Sequence, residues 1–194
     1  MIEFKGAEAT IEVIQLYNQK VIVKTRNEKK YRIKSLDEKL RSFRTKREAR
    51  IILKLNNSNV NSPKILALGK YTIMMSFVEG VLMRDLPENE EFMKPIGNEV
   101  KKMHLSGVVH GDLTPANIII KNNTPFIIDF GLAEVTNNLE EKAIDLLLFK
   151  RSVSKKSFEI FLSSYIEKNP EGKKVIDKLK EVELRGRYNV RTLT

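Results

Sequence analysis

With 194 residues, 41% of them apolar, the chain is long enough to bury a core and too apolar to be disordered. It has no cysteine, which excludes disulfides, thiol nucleophiles and thiolate metal sites and suits a cytosolic (cytoplasmic) protein. A net charge of +10 either points to nucleic acid nearby or only keeps a Lys-rich surface soluble, while no apolar run nears the ~18 residues of a membrane span and residues 1–5 lack a signal peptide's core.

Residues 1–35 read as β-rich. Thr10–Leu16 and Val21–Lys24, the latter extending toward Arg26, have strand character, with Asn18-Gln19 as the turn between them. A basic segment, Lys29–Arg50, follows. Thr45-Lys46-Arg47-Glu48 has the form of a capping box, and Ile51, Ile52 and Leu55 supply the apolar stripe of the helix it would open. Asn56-Asn57-Ser58-Asn59 ends that helix. Ile65–Leu68 and Tyr71–Val78 predict two more strands around Gly69-Lys70, with Gly80 closing the second. Pro95–Leu105 predicts an amphipathic helix that delivers the chain to Val108-Val109-His110. Beyond Gly131 the spacing predicts helices over Glu140–Arg151, Lys156–Glu167 and Gly172–Glu183. Strands with one helix, then helices around a hairpin, predict an α+β, two-lobed protein-kinase-like fold. It is one domain over 1–194: a small β-rich N-lobe (about 1–79), a truncated helical C-lobe (80–194) and a ligand cleft between them.

The chemistry concentrates in His110-Gly111-Asp112-Leu113-Thr114-Pro115-Ala116-Asn117 and, further on, Asp129-Phe130-Gly131. Phosphoryl transfer needs an acid at the attacking oxygen and oxygen ligands for a metal on the phosphates. Asp112 suits the first role; Asn117 and Asp129 suit the second, with Mg. Ile118-Ile119-Ile120 and Phe126-Ile127-Ile128 read as short buried strands joined at Asn122-Asn123, with Pro125 opening the second. A hairpin there brings Asn117 and Asp129 to the same end. A plain loop network is the alternative, but the compound pattern is far more specific than an isolated Asp-Phe-Gly.

Lys24 stands where the protein-kinase pattern puts the lysine that neutralises the α- and β-phosphates of ATP. Its plain reading is an exposed strand lysine. Glu48 is the candidate ion-pair partner of Lys24, or alternatively the capping acid of its own helix. No glycine-rich loop precedes Lys24. Gly6-Ala7-Glu8-Ala9 is the candidate turn there, and Gly6 either allows close backbone approach to phosphate or serves an ordinary turn. Glu8 must then face away or pair with a cation. Met74–Gly80 reads as the hinge, with backbone near Met75 and Phe77 facing adenine, or as interlobe core. Asp145 can accept backbone N–H groups of the catalytic loop from below, or act as a helix N-terminal acid. His104 carries no assigned chemistry.

Taken together these residues resemble the small atypical kinase/ATPase subunits of the KEOPS (EKC) complex, the PRPK family. The likeness covers nearly the whole chain. It includes Gly6-Ala7-Glu8-Ala9, Lys24, Tyr31-Arg32 to Leu36-Asp37 and Arg44–Ala49. It continues through His110–Thr114, Asp129–Leu132, Lys142–Leu146 and the tail Arg185-Gly186-Arg187. The resemblance implies Mg-ATP binding, autophosphorylation, and Ser/Thr kinase or ATPase activity in support of threonylcarbamoyl-adenosine formation on tRNA. It implies as partners the threonylcarbamoyl-transferase subunit and the other small subunits of the complex, with tRNA reached through them. The tail Arg185–Arg191 is either a solvated terminus or a phosphate-binding element, since arginine suits phosphate through bidentate hydrogen bonds.

The departures from ordinary kinases are informative. Gly111 replaces the arginine that usually meets a phosphorylated activation loop, no Ala-Pro-Glu follows Asp129-Phe130-Gly131, and Lys142 comes too soon for a long activation segment. Substrate choice then falls to a partner or is poor. The alternatives are an independent small-molecule or protein kinase, a non-catalytic ATP-binding scaffold, and an RNA-binding module. The last lacks an aromatic platform, with no Trp and five scattered Tyr.

Overall fold

A five-stranded antiparallel sheet begins the computed structural model, which describes residues 2–6 and 8–191. It contains β1 (Ile2–Lys5), β2 (Ala9–Leu16), β3 (Gln19–Arg26), β4 (Ile65–Leu68) and β5 (Thr72–Ser76), in the order β1-β2-β3-β5-β4. The β2–β3 turn lies at Tyr17-Asn18, one residue earlier than the spacing suggested. Leu16 pairs with Gln19, and Tyr17 takes a left-handed φ of 51°.

The helix between β3 and β4 corrects the capping-box reading. It runs over α1 (Lys34–Asn57), so Thr45 lies in mid-helix and donates its hydroxyl to Arg41 O at 2.8 Å. Glu48 is therefore not an N-terminal acid. The early turns of α1 show no wide apolar stripe, which is why they escape pattern reading. A buried acid holds them instead. Asp37 pairs with Arg41 Nε (2.6 Å) and Arg32 (3.7 Å) and accepts Lys29 N (3.2 Å). Arg41 in turn stacks on Tyr71, 3.9 Å from the ring centroid.

The later half of α1 behaves as expected. Ile51, Ile52 and Leu55 are buried, and they join the main core together with residues of α2 (Met93–Leu105), α3 (Leu139–Ser152), α4 (Lys155–Ile166) and α5 (Gly172–Arg191). The sheet's own buried cluster is small: Ala49, Ile73 and Met75. The later half of α1 thus packs into the core of the helical part and helps to join the two lobes.

Two small sheets carry the catalytic segment: β6 (Val81–Leu82) with β8 (Ile118–Lys121) and β9 (Thr124–Ile127), and β7 (Val108–Val109) with β10 (Glu134–Val135). The β8–β9 hairpin turns on Asn122 and Asn123, at φ 48° and 61°, as a two-residue turn with both central residues left-handed requires. Pro125 sits inside β9 opposite Ile120 rather than before the strand. It is tolerated because β9 is an edge strand, where a missing N–H breaks no ladder.

Helices α2 and α4 cross at Gly97. A Cβ there would fall 2.4 Å from Phe161 O and 2.2 Å from Ser164 Oγ. Since the first is backbone, one helix must move. Gly97→Ala is expected to lower unfolding stability by about 1–3 kcal/mol, measured by denaturant titration. An unchanged midpoint would show that the crossing is loose.

Arg185-Gly186-Arg187 is not a separate tail, because α5 continues to Arg191. Gly186 in a helix costs only about 1 kcal/mol. Arg185 pairs with Glu140 at 3.1 Å. Residues 192–194 lie outside the described residues. Among the described residues, no helix is long and apolar enough to cross a membrane.

Candidate active site

Lys24, expected to be either a phosphate ligand or a surface lysine, is buried. Its Nζ lies 2.7 Å from Glu48 Oε1 and 2.7 Å from Asp129 Oδ1. The three residues come from β3, the middle of α1 and the loop after β9, so the tertiary fold alone unites them. Burial works against the lysine's charge, yet Glu48 and then Asp129 outweigh it and hold its pKa above the ordinary value. Burial likewise opposes ionisation of Asp129. The Lys24 charge and hydrogen bonds from Lys24 and Gly131 N prevail, holding this carboxyl below the usual range. Arg26, which the sequence reading left without a role, binds the second oxygen of Glu48 at 2.5 Å.

These directions set a pH window. The depressed Asp129 contributes stability above its unfolded pKa and loses it as pH falls through the folded value. The raised Lys24 contributes below its unfolded pKa and loses it as pH rises through the folded one. The pair therefore acts fully between about pH 5 and pH 9. The melting-temperature gap between the wild type and Asp129→Asn is expected to be widest in that window and to close in acid. A gap independent of pH would contradict it.

The catalytic loop hangs from below on Asp145, as one of the two sequence readings had it. Asp145 Oδ2 accepts His110 N (2.6 Å) and His104 Nε2 (3.1 Å), and Oδ1 accepts Gly111 N (2.8 Å). His104 Nδ1 meets Tyr165 Oη at 2.8 Å, so His104 is structural. His110 Nε2 donates to Ile128 O (3.0 Å) and Nδ1 accepts Asp112 N (3.2 Å), which requires the Nε2–H tautomer. Gly111 has φ +77°, and a Cβ there would lie 2.7 Å from Leu132 O. Glycine stands in the usual arginine's place because the next segment packs against it. Asn117 Nδ2 donates to Asp112 O (2.8 Å) and Asp112 Oδ2 (3.0 Å). Ile128 N donates to Asn117 O at 2.9 Å, so the hairpin does bring Asn117 beside the Asp129 loop.

Between the lobes lies a cleft, the kind of place where ligand pockets form. Ile11, Ile22, Ile52, Met75, Phe77 and Ile119 supply apolar wall, with Lys24, Glu48 and Asp129 at one end. Met75 lies inside β5, opposite both Ile22 and Ile65, so it turns a side chain to the cleft. Phe77 follows the last residue of β5. A second recess continues past Lys24 to Gly6, Glu8, Arg26, Arg44 and Gly131. Gly6 N donates to Ala9 O (2.9 Å), closing a turn; Ala7 lies outside the described residues. Glu8 pairs with Arg44 at 2.5 Å, the cation pairing that was one of its two expected outcomes. Among the described residues no three His, Cys, Asp or Glu side chains gather as a metal cage. A site built from one carboxylate, one amide and phosphate oxygens needs none.

The RIO domain model matches residues 9–157. The KEOPS complex subunit Bud32 of Pyrococcus abyssi is 38% identical, over 97% of this chain and 96% of that protein. A probable bifunctional tRNA threonylcarbamoyladenosine biosynthesis protein of Methanosphaera stadtmanae is 40% identical over 96% of this chain, which spans 36% of that longer protein. These relatives bear out the resemblance read from the sequence. Among solved structures, the Rio2 kinase–ADP/Mg2+–phosphoaspartate complex of Chaetomium thermophilum shares the fold. Its TM-score is 0.70 over 97% of this chain and 70% of that one, at 17% identity. The α+β, two-lobed kinase-like architecture and the match across most of its length agree: this chain belongs to the RIO domain family.

Proposed function

We propose that this chain is an Mg-ATP-dependent phosphotransferase, an atypical Ser/Thr protein kinase/ATPase that works as the kinase subunit of a cytoplasmic KEOPS complex. The observation that carries the reading is the meeting of Lys24, Glu48 and Asp129 at the polar end of an apolar cleft, with Asn117, which holds Asp112, bonded through its backbone carbonyl to Ile128 N, the residue before Asp129. The apolar walls, including Met75 and Phe77, suit an adenine ring. Lys24 takes the phosphates, and Glu48 holds it in place. Gly6 lets backbone lie near the phosphates.

Asn117 and Asp129 fit Mg, which takes oxygen ligands and keeps phosphates among them. With its nitrogen given to Asp112, Asn117 has its oxygen left as the remaining polar atom of the amide. When bound, the metal neutralises charge that builds on the transferring phosphoryl group. Asp112, exposed and oriented by Asn117, accepts the proton of an attacking hydroxyl or orients water.

The short segment after Gly131 pairs as β10 with β7 and leaves little for a substrate peptide to dock on. That supports substrate choice by a partner, namely the threonylcarbamoyl-transferase subunit, with tRNA reached through the complex and the basic end of α5. The relative named as bifunctional carries further sequence beyond its match to this chain, which supports a companion protein here.

The test is ATP turnover by the pure protein with and without that partner, following free phosphate and labelled protein together. Free phosphate rising with the partner present supports an ATPase in the complex. Labelled protein alone supports a kinase. No turnover of either kind in both conditions would sink the reading.

A further inference from the structure

Arg26 sits two residues beyond Lys24 on β3, so both side chains leave the same face of the strand. Glu48 stands between them. Its Oε1 takes Lys24 Nζ at 2.7 Å and its Oε2 takes Arg26 Nη2 at 2.5 Å. Relative exposures of 8% for Lys24, 5% for Arg26 and 2% for Glu48 put the whole cluster out of water. Arg26 Nε is buried with no hydrogen-bond partner. Leaving such a donor unmet is unfavourable, so a guanidinium kept there is not one more solubilising surface charge. Arg26 also approaches the Asp129-Phe130-Gly131 turn. A Cβ on Gly131 would lie 3.8 Å from its Nη2 and 3.6 Å from Lys24 Nζ.

The charges around Lys24 explain what a second cation does. A carboxylate serving Lys24 alone cancels the lysine's charge, and an arriving phosphate then meets a neutral pair. In a buried site this cancellation is strong, because little solvent screens it. Arg26 takes one of the two oxygens of Glu48, so that acid is divided between two cations. The other acid on Lys24 is Asp129, the residue assigned to the metal. Were Asp129 to hold a metal, Lys24 would keep only a shared counter-ion and would present net positive charge.

We propose that Arg26 is a positioning residue for ATP binding: by holding half of Glu48 it leaves the positive charge of Lys24 only partly cancelled toward the nucleotide phosphates. The proposal rests on the phosphate role given to Lys24 above. It separates Arg26 from a purely structural arginine, which would affect folding alone, and from a direct phosphate ligand, which would act without Glu48.

The experiment measures Mg-ATP affinity, turnover and thermal melting for Arg26→Met and Arg26→Lys, each with Glu48 intact and with Glu48→Gln. Arg26→Met is expected to weaken ATP affinity by about 10-fold, the equivalent of one charge-assisted contact, and to change kcat less. In the Glu48→Gln background, where no carboxylate remains to be shared, the same substitution should change affinity by less than about 2-fold. Arg26→Lys keeps a cation on Glu48 and should stay within about 3-fold of wild type. It also decides the matter if Glu48→Gln fails to fold. Equal losses in both backgrounds would make Arg26 a direct ligand and overturn the proposal. So would a lower melting temperature with unchanged affinity, or an Arg26→Lys variant as weak as Arg26→Met. Wild-type protein that binds no Mg-ATP would instead overturn the function on which the proposal rests.

Discussion

Asp112→Ala is expected to lower ATP turnover by about 10²–10⁴-fold, the usual effect of removing a group that handles the transferred proton. Binding should survive. Asp112 is exposed, and its carboxylate contacts only Asn117 among the proposed ligand residues. Lys24, Glu48 and Asp129 form their cluster without it. Asn117 also keeps its bond to the Asp112 backbone carbonyl, which the substitution preserves. Affinity for Mg-ATP, measured by calorimetry, should therefore stay within a few-fold of wild type while phosphate release collapses. Turnover near the wild-type rate would remove Asp112 from the chemistry. Affinity falling in step with turnover would make it a binding residue instead.

The second large effect is expected far below the cleft. Asp145 is fully buried and takes three donors: two backbone N–H groups of the catalytic loop and His104 Nε2. Asp145→Ala leaves all three in an apolar surround. Each unmet buried donor costs about 1–3 kcal/mol. The sum, after some relaxation, should be about 3–5 kcal/mol. For a chain of this size that shifts the melting temperature by about 10 °C or more. Activity should fall too, because His110 and Gly111 lead directly into Asp112. A loss under about 1 kcal/mol would mean that water or another group replaces the carboxylate readily.

Much of this was legible in one dimension. The loop from His110 to Asn117 and the turn at Asp129 lie close together in the chain, and the hairpin between them is written in Asn122-Asn123 and two apolar runs. Local rules suffice there: strand alternation, and a left-handed turn that asparagine accepts. Pairing of Ile118 with Ile127 then sets Asn117 opposite Ile128 without reference to the rest of the molecule. Helix α2 was equally legible, because it buries an apolar face with the helical period.

The start of α1 was not. Its early turns are basic, and Thr45-Lys46-Arg47-Glu48 imitates a helix start. The true start rests on Asp37, buried under Arg41 and Arg32, an arrangement with no periodic signature. The end of α5 was missed for the opposite reason. The segment after Glu183 has no apolar period and reads as a terminus, but a single glycine is too weak to stop a helix already propagating.

By itself the sequence determined the chemical inventory and the end of the hairpin to which Asn117 and the Asp129 turn are brought, since those depend on hydrogen bonds between near neighbours. The tertiary structure decided which cation meets which acid. Lys24 reaches Glu48 across 24 residues and Asp129 across 105, and Arg26 joins them only because α1 packs its mid-point against β3. Contacts at such separation follow from how helix and sheet bury their faces together, and ionic partners are chosen by that packing, not by spacing along the chain.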